Sequence, residues 1–206
     1  MLKLYYTPGT ISIAVAIALE EAGLPFDPIK VDFASAEQTK PPYLSVNPKG
    51  RVPALVDDAG RIMTETGALL EYIAAIAPDA GLLPPDAVTA VHMRGVMYYI
   101  ASTMHVAHAH KMRGHRWADS QASFDDMTAK VPQTMRACAE YVEADCLRGD
   151  YVCGDALSIA DPYLFIVCNW LRGDEVIVSD FPRIEAFLAR MEARASVKKM
   201  RETGML

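Results

Sequence analysis

The sequence predicts two unlike halves: a mixed α/β domain over residues 1–80 and an all-helical domain over residues 88–206. Three observations carry that division. Residues 1–80 alternate short β-type runs with helical runs in the order β-α-β, then β-β-α. The stretch "APDAGLLPPDA" holds Pro78, Gly81, Pro84 and Pro85, which do not suit a continuing helix, so it marks the boundary. Beyond it every apolar run has helical spacing.

The elements follow in order. "LKLYY" reads as a strand, "SIAVAIALEEAG" as a helix stopped by Gly23, and "FDPIKVDF" as a second strand. Strand, helix, strand implies a parallel pair with a right-handed crossover. After a polar loop from Ala34 to Asn47, "VPALVDD" and "RIMTE" form two strands around "DDAGR", and "TGALLEYIAAIA" is a helix. The second half reads as one long helix from Val88 to Met112, a helical run over "SFDDMTAKVPQTMRACAEYVEADCLRG" interrupted near Pro132, an apolar helix over "SIADPYLFIVCNWLRG" ended by Gly173, and a last helix over "FPRIEAFLARMEARASVKKMRET".

Composition narrows the partners. Of the 206 residues 51% are hydrophobic and 22% charged, an ordinary globular balance. A net charge of −6 with scattered Lys and Arg argues against nucleic acid. The N-terminus lacks an apolar signal region and no apolar stretch reaches the roughly 20 residues a bilayer needs, so a cytoplasmic protein without a membrane partner is expected. Cys138, Cys146, Cys153 and Cys168 form no C-x-x-C pair and read as reduced, mostly buried thiols.

With "VNPKGRVPALVDDAGRIMTETGALLEYIA" and "YVCGDALSIADPYLF" in place on this scaffold, the chain resembles the cytosolic glutathione transferases, most of all the bacterial beta class, over essentially its whole length. The resemblance implies a thioredoxin-like first half, a helical second half, glutathione as co-substrate without a metal, and a homodimer. It also implies site residues. Val52 and Pro53 match the pair whose cis bond leaves a strand edge open to the cysteinyl backbone of glutathione, the mode in which an extended peptide adds to a sheet. Glu65 and Thr66 match the acid and hydroxyl that hold its γ-glutamyl end at a helix N-terminus. Ser158 and Asp161 match a structural capping box.

The catalytic turn "TPGTIS" departs from the pattern, because Ile11 stands where the beta class commonly has a cysteine. Isoleucine neither forms a mixed disulfide nor donates a hydrogen bond, so thiol exchange at this turn is not expected. What remains is ionising the bound thiol by hydrogen bonding, and three hydroxyls compete for the role. Ser12 matches a serine of the beta-class motif and leads, Thr10 sits one residue before the missing cysteine, and Tyr6 ends the first strand. The expected activity is glutathione conjugation to an apolar electrophile, with a non-catalytic glutathione-binding protein as the alternative.

On the second-substrate side the resemblance assigns His105 to the cleft, with Tyr98 and Trp117 as further lining groups. Val106 stands where a lysine is usual, which predicts a less basic cleft. His105, His108, His110 and His115 lack an H-E-x-x-H pattern and a neighbouring acid, so a metal site is not expected. Met93, Met97 and Met104 suit either a subunit interface or the core.

Overall fold

In the computed structural model, which describes residues 1–206, four strands form one mixed sheet in the order β2-β1-β3-β4. Strand β1 (Leu2–Tyr6) pairs in parallel with β2 (Phe26–Lys30) and antiparallel with β3 (Ala54–Val56), which pairs antiparallel with β4 (Ile62–Thr64). Helix α1 (Ser12–Glu21) makes the crossover between β1 and β2, and its residues Ser12 to Leu19 are all buried. A helix apolar on every side has to be covered on every side. The sheet lies on one side of it and the helical half on the other.

The loop expected from Ala34 to Asn47 instead contains a 3₁₀ turn at Glu37–Thr39 and the short helix α2 (Pro41–Leu44). Pro41 occupies the first helical position, where its missing N–H costs nothing. Helix α3 (Thr66–Ile76) closes the first half.

The long helix expected from Val88 to Met112 is α4 (Ala87–Tyr99) and α5 (His105–Arg113), joined without a break by a π turn at Ile100–Met104. Helix α6 (Gln121–Tyr141) runs straight through Pro132, so the interruption expected there does not occur. Its packing along α5 outweighs the one backbone hydrogen bond that proline removes. Helix α7 (Ala160–Asn169) is central and almost wholly buried.

The single last helix expected is two, α8 (Pro182–Glu192) and α9 (Ala195–Glu202), separated by Arg194 in extended conformation. The break serves a tertiary ion pair. The Arg194 guanidinium donates twice to the Glu21 carboxylate at 2.6 Å, and the Ser196 hydroxyl donates to the same group.

One apolar cluster of 48 buried residues runs from Leu4 in β1 to Met205, so the two halves share a core despite the Pro-rich boundary. Met93, Met97 and Met104 belong to it. The Ser158–Asp161 motif forms, with a difference from the reciprocal box. Asp161 Oδ2 accepts from the Ser158 N–H at 2.6 Å and hydroxyl at 2.8 Å, while Ser158 Oγ accepts from the Ala160 N–H and not from that of Asp161. No helix is long and apolar enough to cross a membrane.

Candidate functional site

Two adjoining clefts of about 430 and 470 Å³ open between the halves, and Ile11, Arg51, Val52, Ala101 and His105 line both. The first reaches toward the N-terminus of α3, the second toward the end of α5.

Three segments build the first cleft. The turn "NPKG" is tight: Gly50 has a φ of 62°, and a Cβ there would stand 3.0 Å from the Gln38 carbonyl oxygen. The Arg51 carbonyl then accepts from the Tyr43 hydroxyl and the Asn47 amide, both at 2.6 Å, which anchors the chain entering the cis Val52–Pro53 bond. Neither the N–H nor the C=O of Val52 has a backbone partner, and the residue faces the cleft. Glu65 precedes α3 with a φ of 74°, a costly conformation for a residue with a Cβ. That bend turns the free N–H groups of Thr66, Gly67 and Ala68 toward the cleft they line. Ion pairs complete the wall, Lys49 to Glu65 at 2.5 Å and Arg94 to Glu71 at 2.9 Å.

The turn before α1 forms the edge shared by both clefts. Gly9, with a φ of 68°, is held at both polar groups by the helical half: its N–H donates to the Met205 carbonyl at 2.9 Å, and its C=O accepts from Trp170 Nε1 at 3.0 Å. The N–H groups of Ile11 and Ser12 have no backbone partner. The hydroxyls divide sharply. Ser12 is 0% exposed and lines neither cleft, its Oγ accepting from the Thr7 N–H at 3.2 Å and meeting Thr10 Oγ1 at 2.7 Å. Thr10 lines the second cleft and donates to the Thr7 carbonyl at 2.8 Å. Tyr6 packs against the core and lines neither cleft.

His105 follows the π turn at the junction of the clefts, and burial, helped by the charges of His108, Arg116 and Arg51, pushes its imidazole down to about 4. The side chain is therefore neutral near pH 7. His108 does have an acid beside it, contrary to expectation. Its Nδ1 lies 2.6 Å from Asp174 Oδ2, and the ring stacks on Trp170 at 4.2 Å. Trp117 lines the second cleft, whereas Tyr98 lines the first, with Glu65 and Thr66.

Although Val106 contributes no charge, the second cleft is basic. Arg51, Arg113 and Arg116 line it, and no Asp or Glu does. These arginines, Trp170 and Lys49 carry no periodic signal. Only "NPKGR" hinted at two of them, by placing two cations directly before the proline strand.

Comparison with known proteins matches residues 1–75 to the glutathione S-transferase N-terminal domain and residues 109–203 to the glutathione S-transferase C-terminal domain. The chain is 32% identical over 203 residues to glutathione S-transferase GstA of Escherichia coli O157:H7, covering 96% of each. Among solved structures it is similar to a glutathione transferase homologue from Sulfitobacter with bound glutathione, at 65% identity and a TM-score of 0.99 over 100% of this chain and 99% of that one. It is also similar to a sphingomonad glutathione S-transferase complexed with glutathione, at 28% identity and a TM-score of 0.85 over 99% of both chains.

Proposed function

The chain belongs to the glutathione S-transferase family, and from that premise we propose that it binds glutathione in the first cleft, ionises its thiol at the turn before α1, and transfers the sulfur to an electrophilic carbon held in the second. The observation that carries this reading is a line of polar groups left free along one cleft: the N–H groups of Thr66 to Ala68, the backbone of Val52, and the N–H of Ile11. In this reading the γ-glutamyl carboxylate takes the α3 N-terminus, its ammonium takes Glu65, and the cysteinyl backbone takes Val52.

Thr10 is the activating hydroxyl and Ser12 its positioning residue. Thr10 turns its proton from the Thr7 carbonyl to the ligand sulfur, while Ser12 donates to Thr10 Oγ1 from behind. A thiol near pKa 8.5 needs to fall by about 1.5 units to be half ionised at neutral pH, roughly 2 kcal/mol. A hydrogen bond to a charged acceptor contributes about 1.5–3 kcal/mol, and the start of α1 about 0.3–1 kcal/mol more. The thiol proton passes to solvent, a C–S bond forms, and the leaving group departs with its bonding pair.

The ultraviolet absorbance of bound thiolate, followed against pH, tests the assignment. Thr10→Val is expected to raise the pKa of the bound thiol by about one unit, roughly 1.4 kcal/mol, Ser12→Ala by less, and Tyr6→Phe not at all. A larger rise in Ser12→Ala than in Thr10→Val would reverse the two roles. Thermal stabilisation by glutathione with no conjugation of a generic aryl halide would instead favour a non-catalytic binding protein.

A further inference from the structure

The second cleft departs from the rest of the molecule in charge. The chain carries −6 overall, yet this cleft is lined by Arg51, Arg113 and Arg116 with no acidic side chain among its walls. Several arginines elsewhere are answered: Arg61 by Asp57, Arg94 by Glu71, Arg190 by Asp150 and Arg194 by Glu21. The three cleft arginines reach no carboxylate. They come from separate places, Arg51 from the loop before β3, Arg113 from the end of α5, and Arg116 from the 3₁₀ turn at Gly114–Arg116. Burial, with repulsion from Arg51 and Arg113 added to it, draws the Arg116 guanidinium below its ordinary value. Like charges gathered in a concave surface are unfavourable without a counter-charge, and a guanidinium matches a carboxylate in geometry as well as sign.

Between the arginines the walls are apolar and flat. Ile11, Phe33, Val106, Met112 and Trp117 line the same space, with the Arg113 guanidinium 5.9 Å from the centre of the Phe33 ring. Neutral His105 at the junction adds no charge of its own near pH 7.

We infer that the electrophile is an anion, an aromatic or similarly flat apolar body bearing a carboxylate that Arg113 and Arg116 hold while the reactive carbon points toward Thr10 and Ile11. This rests on the transferase reading and names its substrate class. Arg51 stands where the clefts meet and can serve either ligand, so Arg113 and Arg116, which line the second cleft alone, are the discriminating pair.

The test compares 4-chloro-3-nitrobenzoate with 4-chloro-3-nitrobenzamide. In both, the glutathione sulfur bonds to the carbon bearing chlorine and chloride leaves with the electron pair. Each kcat/KM is divided by the uncatalysed rate with glutathione, since the amide activates the ring more. The carboxylate is expected to be preferred about tenfold, and the R113Q/R116Q double variant, its folding checked by thermal unfolding, to bring the ratio near one. Equal use of both substrates by the unaltered enzyme would overturn the inference while leaving the transferase reading intact. A preference that survives in the double variant would overturn the assignment to these arginines. If neither compound is turned over, the transferase reading fails. The dissociation constants of the two aryl conjugates of glutathione then decide the charge preference, equal values counting against it.

Discussion

The two halves of the cleft use charge in opposite ways. In the first, every charged group facing the space near α3 has a partner, Lys49 with Glu65 and Arg94 with Glu71, and the unsatisfied groups are backbone N–H and C=O. In the second, three guanidiniums stand without a counter-ion. A ligand with an ammonium, carboxylates and a peptide backbone suits the first arrangement, because it exchanges ion-pair partners and extends a strand edge. The second arrangement lacks only negative charge.

Glu65→Gln gives the largest expected break between the halves. It keeps the shape and the unusual backbone conformation but removes the charge proposed to meet the ligand's ammonium, so glutathione affinity by calorimetry should fall about 10- to 100-fold, the equivalent of about 1.5–3 kcal/mol. The preference between the two nitroaryl substrates should persist. A parallel loss of that preference would mean that the halves are not independent.

A smaller effect comes from His105, at the seam. Burial holds its pKa at about 4 in the folded protein, against 6.5 for the ordinary side chain. As the pH falls, the unfolded chain takes up this proton first. The stability His105 contributes is therefore complete above about 6.5 and is lost progressively toward about pH 4, by about 1–3 kcal/mol in all. His108, Arg116 and Arg51 push in the same direction as burial and Glu65 against it. Urea titrations at a series of pH values should show His105→Gln with a flatter profile over that interval, and an unchanged slope would remove the imidazole as its source.

The smallest effect on the contrast is expected from Ser158→Ala, at a residue that lines neither cleft. Losing its hydrogen bonds with Asp161 and the Ala160 N–H should cost roughly 1 kcal/mol or more of stability. Glutathione affinity and the substrate ratio should both stay at their original values. A change in either would show that the start of α7 is coupled to the clefts, through Tyr163, which lines the first, or through Trp170 and its bond to Gly9.

Much of this architecture is written in local pattern. "LKLYY" alternates and forms β1, Gly23 ends α1 with a φ of 66°, and Thr66 begins α3 at the residue expected. Local pattern failed where a distant partner decides the backbone. Nothing near Arg194 predicts a helix break, since its reason is Glu21, far back in the chain. Pro132 reads as an interruption until α5 is packed beside it. His108 reads as an isolated histidine because Asp174 lies 66 positions away.

The sequence by itself determined the two-part organisation, the strand and helix order, and the positions of the proline and acid-hydroxyl motifs that line the first cleft. Each rests on periodicity, turn chemistry or a short motif, which are properties of neighbouring residues. Only the tertiary structure decided which of the two residues borders a cleft: Ser12 is buried at the start of α1, while Thr10, in the turn before it, lines the second cleft. It likewise decided the character of the second cleft. Charge scattered along a chain becomes a site only when folding brings Arg51 beside Arg113 and Arg116, and Coulomb interaction depends on distance in space rather than in sequence.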